Sequence, residues 1–283
     1  MNAALAAWFP SIHRDHPGHV GDAIVYALEG PGKRLRPALT LAVYQAADGA
    51  GDAAELAAAV EVVHTYSLIH DDLPCMDDDE LRRGRPTAHR AYGVEVATDA
   101  GFRMVPLAAR IIASGGARLG LDPRRQGDIA GVLLAAAGAG GMIGGQMLDL
   151  DAEGAALDRR ELFAVHAAKT GAMIGASAEI GALTAGVEPG RTAAARAFGR
   201  ELGLAFQILD DVLDVAESSE RLGKTAGKDA RQRKATSVSV LGEAAARVEA
   251  EERLASAIAQ LRAARLDSHV LRGLARFVVD RRS

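Results

Sequence analysis

Two clusters of aspartate residues are the groups in this sequence that are best suited to chemistry. The first lies in the segment 64–87, HTYSLIHDDLPCMDDDELRRGRPT, where six acidic residues are followed by three arginines. The second lies in the segment 202–215, LGLAFQILDDVLDV, where four polar residues are spaced to share one face of a helix: Gln207, Asp210, Asp211 and Asp214. Carboxylates that are packed together repel one another, so both clusters require a compensating cation.

The chemistry that fits these carboxylates is the binding of a hard divalent cation. Magnesium and calcium prefer oxygen ligands, and magnesium commonly binds one or two carboxylates together with substrate phosphates. Two acidic faces that oppose each other across a cleft therefore predict a magnesium site for a phosphorylated ligand. A solvated charge run is the alternative for the first cluster, but the second cluster lies among apolar residues and favours the metal site. No segment has the spacing of an EF-hand calcium loop.

The helix that leads into the first cluster is predicted over residues 53–72. His64, Ser67 and Asp71 are spaced i, i+3 and i+7, so they share a stripe that leads to the acids. In a straight helix Asp77 would lie ~240° around the axis from Asp71, at ~100° per residue. Pro74 cannot donate a backbone hydrogen bond and is expected to kink this helix. A local distortion is therefore needed for both aspartates to face the same cation.

Basic side chains elsewhere in the chain could bind the phosphate groups. Lys33, Arg34 and Arg36 cluster at a turn before a helix that Pro37 can open, and free N–H groups at a helix start favour anions. A solvated basic turn is the alternative for this stretch. Lys169 lies in the apolar run AAKTGAMIG, where burial of its charge is costly without an anionic partner.

The elements that must position these groups have helical patterns. Helices are predicted over Val20–Leu28, Ala53–Asp72, Ala88–Gly120 with a break at Pro106, Arg160–Gly186 and Arg196–Glu217. Neither strand-like alternation of useful length nor a glycine-rich nucleotide fingerprint is present, and GKTAGK lacks the spacing of a P-loop. With no fixed repeat and no linker, the sequence predicts a single all-α domain over residues 1–283.

Residues 129–148, IAGVLLAAAGAGGMIGGQML, contain no charged residue and must be weighed as a membrane span. Six glycines and five alanines make this stretch only weakly hydrophobic. A buried helix that packs closely against its neighbours is favoured over a membrane span.

The net charge, the cysteine content and the first ten residues narrow the class of protein further. The formal net charge of −4 argues against nucleic acid as the main partner. The single cysteine, Cys75, excludes an internal disulfide and fits a reducing compartment. The start MNAALAAWFP lacks the basic and long apolar regions of a signal peptide. We therefore expect a cytoplasmic location.

Several motifs, taken in order, resemble those of the trans-isoprenyl diphosphate synthases, specifically the short-chain farnesyl and geranylgeranyl diphosphate synthases. They are GKRLRP at residues 32–37, DDLPCMD with LRRGRPT, GGQMLDL, KTG, FQILDDVLD with LGKTAGKD, and the C-terminal LARFVVDRRS. The resemblance implies an all-α bundle of the isoprenoid-synthase type around a central cavity, usually in a homodimer. It also implies that three magnesium ions join an allylic diphosphate to the two aspartate motifs.

Individual roles follow from this resemblance and are expectations. The implied metal ligands are Asp71, Asp72, Asp77, Asp210, Asp211 and Asp214. The residues expected to hold the allylic diphosphate are Arg82, Lys169 and Lys224, with Lys228 as a further basic residue. The expected isopentenyl diphosphate pocket comprises Lys33, Arg36, His64 and Arg83. Thr170 and Gln207 match polar groups near the reacting carbons. The implied reaction is ionisation of the allylic substrate, attack by the isopentenyl double bond, and loss of a proton to the released pyrophosphate.

Product length is expected to depend on the residues five and four positions before Asp71. These are Tyr66 and Ser67, about one helical turn deeper along the cavity. A bulky tyrosine here is similar to farnesyl diphosphate synthases, so a C15 product is predicted. Geranylgeranyl diphosphate (C20) is the alternative, because DDLPCMD is also met in those synthases, and Tyr66 could be merely a core aromatic residue.

The chain departs from the family pattern at three places, which read Pro31-Gly32-Lys33, Gly101-Phe102-Arg103-Met104 and Thr236-Ser237-Val238.

Two rival functions are less favoured. A terpene cyclase usually has different ligands in its second metal motif and does not need the Lys33, Arg36 and His64 pocket. A non-catalytic subunit of a heteromeric prenyl synthase normally lacks one aspartate motif, whereas both are intact here.

Overall fold

The computed structural model describes residues 1–221 and 235–280, and the described chain is mainly helical, with very little β-structure. Its first helices are α1 (Asn2–Ala6), α2 (Phe9–Asp15), α3 (His19–Glu29), α4 (Leu35–Ala46) and α5 (Ala54–Asp71). A short antiparallel hairpin, β1 (Leu81–Arg82) and β2 (Arg85–Pro86), precedes α6 (Ala88–Tyr92), α7 (Val94–Arg118), α8 (Pro123–Ala137) and α9 (Met142–Asp151). The chain continues through α10 (Arg159–His166), a π-helical segment π1 (Ala167–Gly171), α11 (Ala172–Ala185), α12 (Pro189–Arg221), α13 (Ser237–Leu241), α14 (Glu243–Ala263) and α15 (His269–Val279). The predicted all-α class is confirmed.

Helix α5 is the central element of the bundle. Its apolar residues are buried around the whole circumference, which is typical of an interior helix rather than of a surface helix with one apolar face. It packs against α4 and α7 and contacts α3. One apolar core joins α5 mainly to α1, α2, α3, α7 and α8, and a second core joins α4, α11, α12, α14 and α15.

Local sequence explains where several helices begin. Asp122 caps α8 by accepting a hydrogen bond from the backbone N–H of Arg125, and Pro123 occupies the first helical position, where no N–H is needed. Asp158 and Glu161 form a reciprocal capping box at the start of α10. The α10 helix therefore starts at a fixed residue, which in turn fixes the position of π1.

The break that Pro106 predicted in the 88–120 helix lies elsewhere. Helix α7 continues through Pro106, because a proline in a long helix can bend it without ending it. The interruption falls at Gly93, whose φ of 89° is readily adopted only by glycine and separates α6 from α7.

The prediction of one buried helix over residues 129–148 is wrong. The stretch forms the end of α8 and most of α9, separated by a glycine-rich turn at residues 138–141, because glycines favour a turn over a continuous helix. By length and composition alone, Pro123–Asp151 could cross a membrane, but this is weak support for a span. Only 28% of its most apolar window is buried, so much of the surface of these helices is exposed.

Candidate active site

A cavity of about 760 Å³ lies between α4, α5, α7, α9, π1 and α12. It brings together most of the residues that the sequence singled out. The predicted site residues that line it are Lys33, Arg36, His64, Tyr66, Ser67, Asp71, Asp77, Arg82, Arg83, Lys169, Thr170, Gln207 and Asp210. Members of both aspartate clusters thus face one space, together with lysine and arginine side chains that could bind an anion.

The turn after α5 supplies the distortion that the first aspartate cluster requires. The helix ends at Asp71, before Pro74, so the proline follows the helix rather than kinking it. The chain then folds back, and the backbone N–H of Asp77 donates to the carbonyl oxygen of Asp71 over 2.9 Å. The N–H of Asp79 donates in the same way to the carbonyl of Asp72. This turn allows Asp71 and Asp77 to line the same cavity.

Three predicted metal ligands do not line the cavity. The buried carboxylate of Asp72 accepts two hydrogen bonds from Arg82 Nε, at 2.7 and 2.9 Å. Buried Asp211 accepts from the backbone N–H of Ser237 at 2.6 Å and from Gln207 Nε2 at 3.1 Å. Asp214 is exposed on α12. In this arrangement Asp72 orients Arg82 and Asp211 orients Gln207. The predicted substrate ligands Lys224 and Lys228 lie outside the described residues.

The negative charge of the Asp71 carboxylate is unfavourable in its surroundings. Burial raises its pKa to about 6, the Lys169 ammonium opposes that shift, and the neighbouring Asp77 carboxylate adds to it. A divalent cation at this position would offset both the burial and the repulsion. Carboxylate oxygens from Asp71, Asp77 and Asp210 are also the donor type that magnesium prefers, so these residues fit that ion.

Protein groups alone do not complete a metal cage in the part of the chain that the structure describes. Over residues 1–221 and 235–280, no three histidine, cysteine, aspartate or glutamate side chains converge closely enough to hold an ion by themselves. Magnesium typically takes only one or two carboxylates and completes its coordination with phosphate oxygens and water. The open arrangement of Asp71, Asp77 and Asp210 is of this type.

A second group of polar residues forms a basic pocket in the same cavity. His64 Nε2 lies 3.2 Å from Arg36 Nη1. Burial and the Arg36 charge hold the pKa of His64 well below its usual value, so the ring is neutral and Nε2 accepts from the guanidinium. Burial lowers the pKa of Arg36 to about 10, which still leaves it protonated at neutral pH. Arg36 Nε and His64 Nδ1 are buried and find no partner among the described residues, so they are available to a ligand.

Arg34 fixes the loop between α3 and α4, which lies next to this basic pocket. Its backbone is in the left-handed region, with a φ of 48°, and its guanidinium donates to the carbonyl oxygens of Leu28 at 2.7 Å and Gly30 at 2.9 Å. The same guanidinium forms an ion pair with Glu61, which is buried on α5. Arg34 therefore joins the end of α3, the start of α4 and the middle of α5, and Lys33 is held next to it.

The segment π1 presents Lys169 and Thr170 to the cavity from the opposite side. Lys169 Nζ donates to Asp149 Oδ2 on α9 over 2.6 Å, which supplies the anionic partner that its apolar surroundings demand. Thr170 Oγ1 donates to Gln207 Oε1 over 2.7 Å. The π-helical turn is typical of functional positions within helices, because its extra residue redirects side chains.

Tyr66 belongs to a row of aromatic rings beside the cavity. Its ring is buried and lies edge-on to His70 at a centroid distance of 5.3 Å, and His70 lies 5.2 Å from Phe102. Burial raises the pKa of Tyr66 to about 12, so its phenol stays neutral. Tyr66 and Ser67 both line the cavity one helical turn before Asp71.

Sequence reasoning missed three residues that bear on the site. Glu61 lies one helical turn before His64 within the apolar run AAAVEVV, and an acid in such a run indicates a buried ion pair. Gln146 and Asp149 end another apolar run at i and i+3, a spacing that places both on one face of α9. These signals were present in the sequence, but Arg34 and Lys169, which pair with Glu61 and Asp149, lie in other segments of the chain.

The comparisons with known proteins agree with this geometry. The profile of the polyprenyl synthetase family matches residues 18–270. A farnesyl diphosphate synthase from Geobacillus stearothermophilus is 39% identical over 274 residues, which cover 94% of this chain and 89% of that protein. The large subunit 1 of a chloroplastic heterodimeric geranylgeranyl pyrophosphate synthase from Arabidopsis thaliana is 42% identical over 230 residues, which cover 80% of this chain. The match spans only 62% of the length of that plant protein.

A solved structure extends the similarity to the fold. The geranyltransferase from Helicobacter pylori, complexed with magnesium and isoprenyl diphosphate, superposes with a TM-score of 0.78 at 30% sequence identity. The superposition covers 99% of this chain and 95% of that one.

Proposed function

The chain belongs to the polyprenyl synthetase family, and we propose that its cavity condenses isopentenyl diphosphate with an allylic diphosphate to give farnesyl diphosphate. The observation that carries this proposal is the single cavity shared by Asp71, Asp77 and Asp210 with Lys169 and by the basic pocket around Arg36. Two anionic substrates need two such sets of positive charge in one space, and a cyclase with one substrate does not. The relatives support a short-chain prenyltransferase, and the C15 product is our more specific proposal.

The residues of the chain account for the binding steps. Lys169 and Arg82 neutralise the diphosphate of the allylic substrate, and Arg36 and His64 lie in the pocket that suits the isopentenyl diphosphate. Magnesium, when bound by Asp71, Asp77 and Asp210, supplies Lewis-acid stabilisation of the leaving diphosphate. We propose three magnesium ions per active site, the number that the resemblance to the family implies.

The chemical step needs no protein nucleophile. The bond between the allylic carbon and the diphosphate oxygen breaks, and both electrons leave with the diphosphate. The double bond of isopentenyl diphosphate attacks the resulting carbocation, and a proton passes to the released pyrophosphate. The apolar side chains of Met142, Phe206 and Val105 line the cavity and exclude water that would quench the cation.

We also propose that the protein is a homodimer. Among the large apolar side chains that α7 and α9 expose in the single chain are Phe102, Ile143 and Met147, with exposures of 66%, 45% and 49%. Phe102, Ile143 and Met147 also line the cavity. A second copy covering these residues would close the cavity at this surface, because exposed apolar patches of this kind mark interfaces. Light scattering of the purified protein would test this proposal by its mass.

Product analysis tests the proposed reaction. The purified protein would be incubated with magnesium, isopentenyl diphosphate and, in separate reactions, a C5, C10 or C15 allylic diphosphate. We expect C15 product from the C5 and C10 partners and no elongation of the C15 partner, with activity lost on chelation of magnesium. Elongation to C20 would replace the farnesyl proposal by the geranylgeranyl alternative. A cyclic hydrocarbon, or the absence of turnover, would contradict the proposed condensation.

Replacing Tyr66 by alanine should lengthen the product. The buried ring lines the cavity one turn before Asp71, so its removal opens space for one more C5 unit along α5. We expect C20 to become the main product of Tyr66→Ala, as measured by chromatography of the dephosphorylated products. Tyr66→Phe keeps the ring and should keep C15. Tyr92→Ala removes a tyrosine that packs on Tyr26 outside the cavity, and it should also leave C15 unchanged. An unchanged product from Tyr66→Ala would show that Tyr66 is only a core aromatic residue.

A further inference from the structure

Gln146 on α9 is a buried polar residue whose hydrogen-bonding groups are unused. Its side chain lines the cavity, and only 5% of the residue is exposed. Neither Oε1 nor Nε2 finds a hydrogen-bond partner among the described residues. A buried amide without hydrogen bonds is unfavourable, so native proteins rarely leave one unpaired unless a ligand or water completes the bonds.

The other glutamine of the cavity differs in this respect. Gln207 Oε1 accepts from the Thr170 hydroxyl, and Gln207 Nε2 donates to Asp211. Both ends of that amide are thus engaged by the protein. Of the two cavity-lining glutamines, Gln146 is the one whose carbonyl oxygen is open to a bound molecule.

The position of Gln146 along α9 indicates which part of a substrate it contacts. Asp149 lies three residues later on the same face and binds the Lys169 ammonium, which belongs to the diphosphate-binding end of the site. Met142 and Ile143 lie about one turn earlier and line the cavity with apolar atoms. Gln146 is therefore between the charged groups and the apolar lining, about 4.5 Å along the helix from Asp149. In a bound allylic diphosphate, the junction between the diphosphate and the hydrocarbon chain would lie at this position.

Close helix packing holds Gln146 in this place. A Cβ atom added to the preceding residue, Gly145, would lie 2.2 Å from the backbone nitrogen of Lys169. The backbones of α9 and π1 are therefore in direct contact at this point. A rigid backbone contact next to Gln146 limits where its side chain can reach, which preorganises the amide relative to Lys169 and Thr170.

We propose that Gln146 is a catalytic residue whose side-chain carbonyl oxygen faces the allylic carbon that loses the diphosphate. This inference rests on the proposed function. As the carbon–oxygen bond breaks and its electrons leave with the diphosphate, positive charge develops on the carbon. The oxygen of Gln146 stabilises that charge by its dipole and forms no bond. The electrons of the isopentenyl double bond then form the new carbon–carbon bond, and the proton leaves with the pyrophosphate.

The test compares two ligands that differ in charge at one atom. One is a thiolo analogue of geranyl diphosphate, which is neutral at the reacting carbon and resists ionisation. The other is an ammonium analogue with a positively charged nitrogen at that carbon. Calorimetry with magnesium present would give the Kd of each for the wild type and for Gln146→Met. We expect the variant to bind the ammonium analogue about tenfold more weakly and to retain the affinity for the neutral analogue within about threefold.

Further variants separate this role from a structural one. Gln146→Glu keeps an acceptor oxygen and should retain the preference for the ammonium analogue, whereas Gln45→Met, at an exposed position of α4, should change neither Kd. Equal weakening of both analogues by Gln146→Met, or no weakening of either, would overturn the inference. Failure of the wild type to bind the neutral analogue would instead contradict the proposed function.

Discussion

Replacing Asp71 by asparagine should lower kcat by about 10²–10³-fold, because the variant loses a charged oxygen that would hold the cation for the leaving diphosphate. Asp71 is the best placed of the first cluster for this role, since it lines the cavity and its charge is unfavourable without a cation. The measurement is steady-state turnover at saturating substrates over a range of magnesium concentrations. Asp128→Asn, which changes an exposed aspartate of α8, should leave kcat unchanged. A decrease in kcat of less than tenfold for Asp71→Asn would contradict this role.

The same substitution should stabilise the metal-free protein at neutral pH. The folded-state pKa of Asp71 is about 6, above its ordinary value of 3.8, so the folded state holds this proton more tightly than the unfolded state does. The stabilisation from protonation is present at low pH and is lost as the pH rises through about 4 to 6. At pH 7 we expect Asp71→Asn to raise the free energy of unfolding by about 1–3 kcal/mol, since one pKa unit corresponds to about 1.4 kcal/mol. Urea unfolding with a chelator present, at pH 4 and pH 7, would measure it. A gain as large at pH 4 as at pH 7 would argue against the titration of Asp71 as its cause.

Replacing Glu61 by leucine should lower the free energy of unfolding by about 3–5 kcal/mol, because it leaves the partly buried Arg34 guanidinium without its charge partner. Glu61 is almost fully buried, and Arg34 also holds two carbonyl groups at the end of α3. We further expect a higher KM for isopentenyl diphosphate, since the loop that carries Lys33 and leads into α4 next to Arg36 would lose its anchor. Urea unfolding and steady-state kinetics measure the two effects.

A double substitution distinguishes the loss of the partner from the loss of packing. Arg34→Met together with Glu61→Leu removes both charges, so its unfolding free energy should lie above that of Glu61→Leu alone. Glu243→Leu removes an exposed glutamate that pairs with Arg247 on the surface of α14, and it should change stability by less than about 1 kcal/mol. If the double variant were no more stable than Glu61→Leu, charge burial could not explain the destabilisation.

Helical periodicity explains why part of the site could be predicted from the sequence. The bounds of α5 differ from the prediction by one residue at each end, and His64, Ser67 and Asp71 share the cavity as their spacing indicated. Both features depend on a repeat along one helix, which a single sequence contains. The ordered motifs also identified the family, because each of them lies within one local segment.

Neighbouring aspartates of the two clusters have different surroundings in the structure, which the sequence did not distinguish. Adjacent residues in a helix point about 100° apart, so Asp71 and Asp72 point in different directions. Here Asp71 faces the cavity and Asp72 binds Arg82, and the same division separates Asp210 from Asp211. The partners Arg82 and Ser237 come from other elements, and a spacing argument within one helix does not contain them.

The π-helical turn and the contact at Gly145 could not be predicted from the local sequence either. The segment AAKTG has the small residues and the pattern of an ordinary helix, and its π-helical form depends on the packing of α9, α10 and α12 around it. Gly145 is needed because the Lys169 backbone approaches it, and that approach appears only once the helices are assembled.

The length of π1 must satisfy two requirements at once. Helix α11 must face the apolar cores, and Lys169 and Thr170 must face the cavity. A π-helical turn holds one residue more than an α-helical turn, so it offsets the angular phase of α11 against that of α10 by about 100°. The buried residues Met173, Ile174 and Ile180 of α11 face the cores in that phase, while Lys169 and Thr170 face the cavity. A single-residue deletion would restore a regular helix but turn one of these sets away from its partners. A lineage that carries this chain therefore cannot shorten the segment by one residue without loss.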